Sequence, residues 1–416
     1  MQAVLAPDNL RRAWKRVKSN KGAPGIDRIS IEEFTAHAKA HWPHIRQHLE
    51  TGDYQPTAVR RVSIPKPGGG ERLLGIPTVT DRVIQQAIAQ VLTPIVDPGF
   101  SVSSFGFRPG RNAHQAVRQV QTYIEGGYRI AVDIDLAKFF DTVNHDVLMR
   151  LLGRRIRDKQ LLSLIGRYLR AGVLVGEHVL PSDIGTPQGG PLSPLLANIL
   201  LHQLDCELER RGHRFARYAD DLLILVKSQR AGERVKRSLT RYLGHTLKLT
   251  VNEAKSKVAP VGECAFLGFT FRGKKLRWTD AALADFTHRI RTLTGRSWGV
   301  SMDYRMLKLG QYVRGWMGYF GVSQYYRPIP ELDDWLRRRI RMCYWKQWRL
   351  CRTKIHHLRE LGVNLKMAIQ HAVSSKSYWH MARTPAMQMA MSNAWLKAHG
   401  LVSVRDLWLK AQGYAV

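Results

Sequence analysis

Two acid-tipped apolar segments constrain the fold of this chain more than any other feature. In "AVDIDLAKFFD", Val132 and Ile134 face one side of an alternating strand and Asp133 and Asp135 the other, and the chain then turns into a helix. In "FARYADDLLILV", apolar runs flank Ala219, Asp220 and Asp221. An aspartate pair disrupts a strand interior but suits a turn, so this segment reads as a hairpin with its carboxylates at the tip. If both segments join one sheet, carboxylates of the two converge at the strand ends, and the plain reading of Asp133 is a solvated strand residue. Clustered carboxylates repel unless a divalent cation lies between them, and an oxygen-only donor set without His or Cys favours Mg²⁺. Two such ions about 4 Å apart activate an attacking hydroxyl and stabilise a leaving phosphate, which is nucleotidyl transfer chemistry.

The surrounding sequence predicts an α+β fold, an antiparallel sheet backed by helices. A helical leader contains the turn "NKGAPGIDRIS" and a capping box at Ser30 and Glu33. "VRRVSIPKPGGGERLLGIP" reads as a hairpin with a basic tip, followed by a helix ending at Pro94. Asn144 caps another helix, residues 151–180 are helical and then extended, and "LKLTVN" and "AFLGFTFRGKKLRW" read as a short strand pair. Beyond Asp285 the strand signal stops. No apolar run reaches the roughly 18 to 20 residues of a membrane span, and the N-terminus lacks a signal-peptide core, so a cytoplasmic protein is expected. Cys206, Cys264, Cys343 and Cys351 include no CxxC pair, so neither a zinc site nor a disulfide framework is expected.

A net charge of +32 calls for a polyanionic partner, nucleic acid by default. Residues 285–416 hold 22 Lys and Arg against 7 acids, and eight of the eleven tryptophans. In "WLRRRIRMCYWKQWRLCR", helical spacing groups Arg338 and Arg341 with Trp345, and Arg337 with Ile340, Tyr344 and Trp348. Arg337, Arg338 and Arg341 are therefore expected to meet nucleic-acid phosphates, with the bland alternative that they only solvate a helix.

The ordered set "DIDLAKFFD", "GTPQGGPLSPLLANILL", "RYADDLLIL", "LTVNEAKSK" and "AFLGFTF" resembles the palm of reverse transcriptases. The preceding "IPKPGGGERLLGIPTVTDRVIQQAI" and "SSFGFRPGRNAHQAV" resemble the fingers of bacterial group II intron reverse transcriptases, and "YVRGWMGYF" their thumb, or X domain. The compact length is most similar to class C members. The resemblance implies a right-hand polymerase with an N-terminal helical extension (1–50), fingers (51–130), palm (131–284, with a fingers insertion around 146–180), helical thumb (285–364) and a small C-terminal DNA-binding extension (365–416). It implies an RNA-directed DNA polymerase that doubles as a maturase, with two Mg²⁺ ions, and with intron RNA template, a DNA or RNA primer, dNTPs and target DNA as partners. Asp135 and Asp220 resemble its metal-binding pair, with Asp221 adjacent. Phe140 resembles the bulky gate beneath the sugar. Lys66 and Arg72 match the fingertip cations on the triphosphate, Gln188 the residue that positions template and nucleotide, and Lys255 the lysine near the pyrophosphate. Phe266, Leu267 and Gly268 resemble the primer grip, and Arg108 and Arg111 are expected on template phosphates. Many relatives carry a further endonuclease with Cys pairs, and none is expected here. The rival expectations are a vestigial RNA-binding splicing cofactor and a domesticated reverse transcriptase of defence or repair.

Overall fold

The alternating segments pair as their periodicity demands. The computed structural model describes residues 1–65, 71–175, 178–180, 184–186 and 189–415, with residues 72, 175 and 178–180 described by backbone alone. Within them lie β1 (Val59–Pro65), β2 (Glu71–Ile76), β3 (Ile130–Ile134), β4 (Val173–Val175), β5 (His178–Leu180), β6 (Arg214–Tyr218), β7 (Asp221–Val226), β8 (Lys257–Pro260), β9 (Phe269–Arg272) and β10 (Lys275–Trp278). The chain divides into two units, residues 1–264 and 265–416.

In the first unit, β6-β7-β3-β8 form a wholly antiparallel sheet, and β2-β1-β4-β5 a second one in which only β1 and β4 run parallel. Val132, Ile134, Phe215, Leu222 and Ile224 are buried in one core with helix Ser193–Arg210, which contributes Leu196, Leu200 and Leu204. Helix Gln229–Tyr242 approaches so closely at Gly232 that a Cβ there would lie 2.4 Å from Val258 Cγ1. Only glycine fits that contact.

The predicted hairpin forms as β1–β2, in register from Arg60↔Ile76 to Pro65↔Glu71. Its base is anchored by the fully buried Asp81, which accepts from Tyr54 Oη (2.8 Å), Tyr168 Oη (3.1 Å), Thr78 Oγ1 (2.8 Å) and the Thr57 N–H (3.2 Å). The capping box forms, Ser30 N donating to Glu33 Oε2 and Glu33 N to Ser30 Oγ, and Asn144 caps helix His145–Gly153. Two expectations are corrected. Helix Val79–Val96 runs through Pro94, because a proline in the last turn forfeits only one bond near a frayed end. "LKLTVN" is not a strand. Leu247, Leu249 and Val251 are buried from a wide helical turn and a loop, with one isolated bridge, Leu136↔Val251, and the sheet partner is β8 instead.

The second unit is the β9–β10 hairpin followed by helices, among them Asp280–Leu293, Met302–Phe320, Pro328–Gln347 and Cys351–Glu360. Its core joins Trp278, Phe286, Trp316, Ile340 and Trp345 to Met387, Leu396, Val404 and Trp408, so the segment after residue 365 packs into the same interior. No helix among the described residues is long and apolar enough to cross a membrane.

Candidate active site

The last β3–β7 pair is Ile134↔Leu222, and continuing that register by one step sets Asp135 opposite Asp221, beside the turn that carries Asp220. Asp135 and Asp221 adjoin the last paired residues of their strands, so the three carboxylates lie at the same end of the sheet. Asp135 and Asp220 are half-buried and Asp221 is exposed.

Asp135 is fixed by the loop before β8. Its N–H donates to Ser256 Oγ (2.9 Å), its carbonyl accepts from Asn252 N (2.8 Å), and Asn252 Nδ2 donates to its Oδ2 (2.9 Å). One carboxylate oxygen is thereby aimed by an amide, an arrangement that fits an oxygen-donor cation site. Lys255 is exposed on the same loop.

The turn carrying Asp220 is held from beneath. Ala219 adopts a left-handed φ of +56°, and Arg217, fully buried, donates to its carbonyl from Nη1 at 2.8 Å. The same guanidinium forms a two-pronged pair with the fully buried Asp205 (2.7 and 2.5 Å) and reaches Asn198 Oδ1 and Ser104 Oγ. Asn198 in turn donates to the carbonyl of Gly106, where a Cβ would lie 2.3 Å from Ala219 N. The "SSFGF" loop therefore supports the turn by backbone contact.

That support also explains Arg108, expected on a template phosphate. Its side chain is 5% exposed, pairs with Asp97 and donates to the carbonyls of Ser101 and Ser104, so its donors are consumed inside the protein. Arg111, half-buried, lies over the Phe105 ring and donates to the Val102 carbonyl at 3.4 Å.

Phe140 is half-buried, edge-on to Phe139, in the short helix after Asp135. Its carbonyl accepts from Thr186 N at 2.6 Å, and a Cβ at Gly185 would lie 2.9 Å from that same oxygen. Lys66 and Gln188 lie outside the described residues. Arg72 pairs through its backbone with Ile64, and its side chain is not described. Gly189 follows Gln188 with φ +136°, where a Cβ would sit 2.5 Å from the Gly75 carbonyl at the end of β2.

Asp133, expected to be solvated, is half-buried opposite Leu223 and Lys257. Burial pushes its carboxyl up to about 6, with Lys257 opposing and Asp135 reinforcing the shift.

In the second unit, Phe266 is buried and pairs with Phe269, Leu267 takes φ +53° with its carbonyl accepting from Tyr319 Oη (2.9 Å), and Gly268 takes φ +79° against the Phe320 ring. The three arginines of helix Pro328–Gln347 are engaged within that unit. Arg337 pairs with Asp333 and Asp334, Arg338 stacks 3.8 Å from the Trp379 ring and donates to its carbonyl, and Arg341 donates to Met391 O and Asn393 Oδ1. Arg341 is 7% exposed, so the expectation that it meets a phosphate is corrected. Exposed cations nearby are Arg349 and Arg352.

Sequence reasoning passed over Asn252, Ser256, Arg217, Asp205 and Asn198. The available signals were the Asn and Ser flanking Lys255 in "NEAKS" and a lone arginine beside the aspartate pair in "RYADD".

Residues 64–271 match the family model described as reverse transcriptase (RNA-dependent DNA polymerase), and residues 283–362 match the group II intron maturase-specific domain. Protein YkfC of Escherichia coli is 33% identical over 317 residues, covering 66% of this chain and 82% of that protein. The group II intron-encoded protein LtrA of Lactococcus lactis subsp. cremoris is 31% identical over 340 residues, 65% of this chain, which spans 56% of that protein's length. A solved structure of telomerase from Candida albicans superposes with a TM-score of 0.47 at 12% identity, over 93% of this chain and 69% of that one.

Proposed function

This chain belongs to the group II intron reverse transcriptases, with their right-hand polymerase fold, and from that footing we propose that it extends a DNA or RNA primer with dNTPs on intron RNA and assists splicing of the same RNA. The observation that carries the proposal is the register that brings Asp135 to Asp220 and Asp221, together with the Asn252 amide on the Asp135 carboxylate.

Asp135, Asp220 and Asp221 hold divalent cations, two Mg²⁺ by donor type, which when bound supply activation of the primer hydroxyl and charge neutralisation at the leaving pyrophosphate. The chain's own side chains do the positioning. Asn252 and Ser256 keep Asp135 aimed, and Arg217 keeps the Asp220 turn in place. Phe140 closes the space beneath the incoming sugar, rigid because its carbonyl is clamped by Thr186. Lys66 and Arg72 meet the triphosphate, Lys255 the departing pyrophosphate, and Gln188 the templating pair. Phe266, Leu267 and Gly268 grip the primer, and Arg111 lies along the template. Residues 51–130, 131–284 and 285–364 act as fingers, palm and thumb, the exposed cations of the thumb contact intron RNA, and the last helices meet target DNA. The setting is the cytoplasm.

The test is primer extension on an RNA template with Mg²⁺, run beside a splicing assay with the cognate intron. Extension that requires the divalent ion, together with faster splicing, is expected. A folded protein that extends no primer under any divalent ion would overturn the polymerase reading.

A further inference from the structure

Helix Phe34–Thr51 carries His37, His41, His44 and His48, a spacing of four, three and four that stacks the imidazoles on one face. The rings form two i,i+4 pairs, His37–His41 with centroids 4.4 Å apart and His44–His48 at 4.3 Å. His41 and His44 are exposed and the other two half-buried, so none fills the core.

The second pair is oriented. His48 Nδ1 stands 2.8 Å from Asp53 Oδ1, and that oxygen also accepts from Thr51 Oγ1 at 2.6 Å. An ionised carboxylate has no proton to give, so Nδ1 of neutral His48 is the donor and Nε2 presents its lone pair. That Nε2 lies 3.1 Å from Nε2 of His44. Two nitrogens each about 2.05 Å from one ion lie about 2.9 Å apart at a right angle and about 3.3 Å apart at the tetrahedral angle. The observed separation falls between these. A carboxylate that orients the far nitrogen of a ligating histidine is also the usual support of a metal-bound imidazole.

We propose that His44 and His48, oriented by Asp53, form a chelating site for a borderline divalent transition-metal ion of the Zn²⁺ or Ni²⁺ class. Its imidazole donors differ in kind from the all-carboxylate centre, which selects hard ions, so the two sites sort metals by chemistry. The His48 carbonyl accepts the N–H groups of Gly52, Asp53 and Tyr54, so an ion held at its ring also pins the end of the helix.

Full-length protein is titrated with Zn²⁺ and with Ni²⁺ at roughly pH 7.5 in excess Mg²⁺. Binding is followed by calorimetry, and helix content by circular dichroism. His356, His357 and Glu360, whose ligand atoms lie within 4.8 Å of one another, give an internal comparator. The expected result is an ion that is lost in His44→Ala and in His48→Ala, is retained in His356→Ala, and binds about 10- to 100-fold more weakly in Asp53→Asn. The melting temperature should rise with the ion in wild type but not in His44→Ala. The proposal is overturned if the folded His44→Ala and His48→Ala variants bind as wild type does, or if His356→Ala alone removes all binding.

Discussion

Replacing Asn252 with alanine should slow DNA synthesis while the fold and template affinity stay intact. The variant loses the amide that donates to Asp135 Oδ2 at 2.9 Å. It keeps the two backbone anchors, Asn252 N to Asp135 O and Asp135 N to Ser256 Oγ, so the end of β3 stays where it is. A hydrogen bond to a charged group contributes about 1.5–3 kcal/mol, and the lower part of that range applies because both residues are half-buried and water partly replaces the donor. At about 1.4 kcal/mol per factor of ten, a loss of about 1.5–2 kcal/mol slows the reaction about 10- to 30-fold. If the amide acts by aiming the carboxylate at a cation, the defect lies in the apparent affinity for the divalent ion. Raising that ion should then restore much of the rate, with little change in the KM for dNTP. Single-turnover primer extension across a divalent-ion titration reads both quantities. A rate within about twofold of wild type throughout would refute the assigned role, since even the weakest bond in the range predicts more.

Asp220→Asn should abolish primer extension and leave RNA affinity near wild type, and a folded variant that polymerises at a comparable rate would sink the site assignment. Gly106→Ala should reduce extension at least tenfold, because its Cβ would lie 2.3 Å from Ala219 N and 2.9 Å from Tyr218 C, both backbone atoms that cannot rotate away. Wild-type extension and melting temperature in that variant would show the turn to be compliant. Asp133→Asn should change the pH dependence of stability: burial raises the folded carboxyl to about 6, above an unfolded value near 3.9, so the native state loses stability as pH rises between them. The variant should therefore gain about 1 kcal/mol at neutral pH, discounted for partial exposure, and nothing near pH 4. Equal urea midpoint shifts at both pH values would count against it. Arg341→Gln should weaken the second unit by about 1–3 kcal/mol without altering the salt dependence of RNA binding. Arg349→Gln with Arg352→Gln should instead flatten the log-log slope by about 0.7–0.9 per residue, and the opposite pattern would return Arg341 to the RNA surface.

What was legible in the amino-acid sequence is what local physics decides. Alternation in "RIAVDID", an aspartate pair between two apolar runs, and an Asn or Ser before a helix each act within a few residues, so β3, the β6–β7 hairpin and the caps could be read before any contact was known. The strand expectation for "LKLTVN" failed on the same ground. Leu247, Leu249 and Val251 bury every second side chain as a strand does, but their backbone makes only one isolated bridge to Leu136 and a bond from Leu249 N back to Leu243 O, so no ladder forms, and periodicity reports burial rather than pairing.

The cations were illegible for a different reason. A guanidinium has five donors and no sequence signal for what they meet, whether solvent, phosphate or a carbonyl fifty residues away. Arg341 meets Met391, Arg305 meets the carbonyls of Leu293 and Gly295, Arg82 meets that of Ala23, and Arg108 and Arg217 pair with buried or half-buried acids. Arg82, Arg217 and Arg341 fasten segments distant in sequence, Arg108 and Arg305 reach nearer carbonyls and acids, and Arg217 and Arg108 hold the candidate catalytic turn and the loop that supports it. A net charge of +32 thus identifies the class of partner through the field it creates, while the contacts themselves belong to the cations that the core leaves exposed. Mutagenesis of the second unit guided by charge density alone would strike Arg338 and Arg341 first, and would then mistake a loosened C-terminal packing for lost RNA recognition.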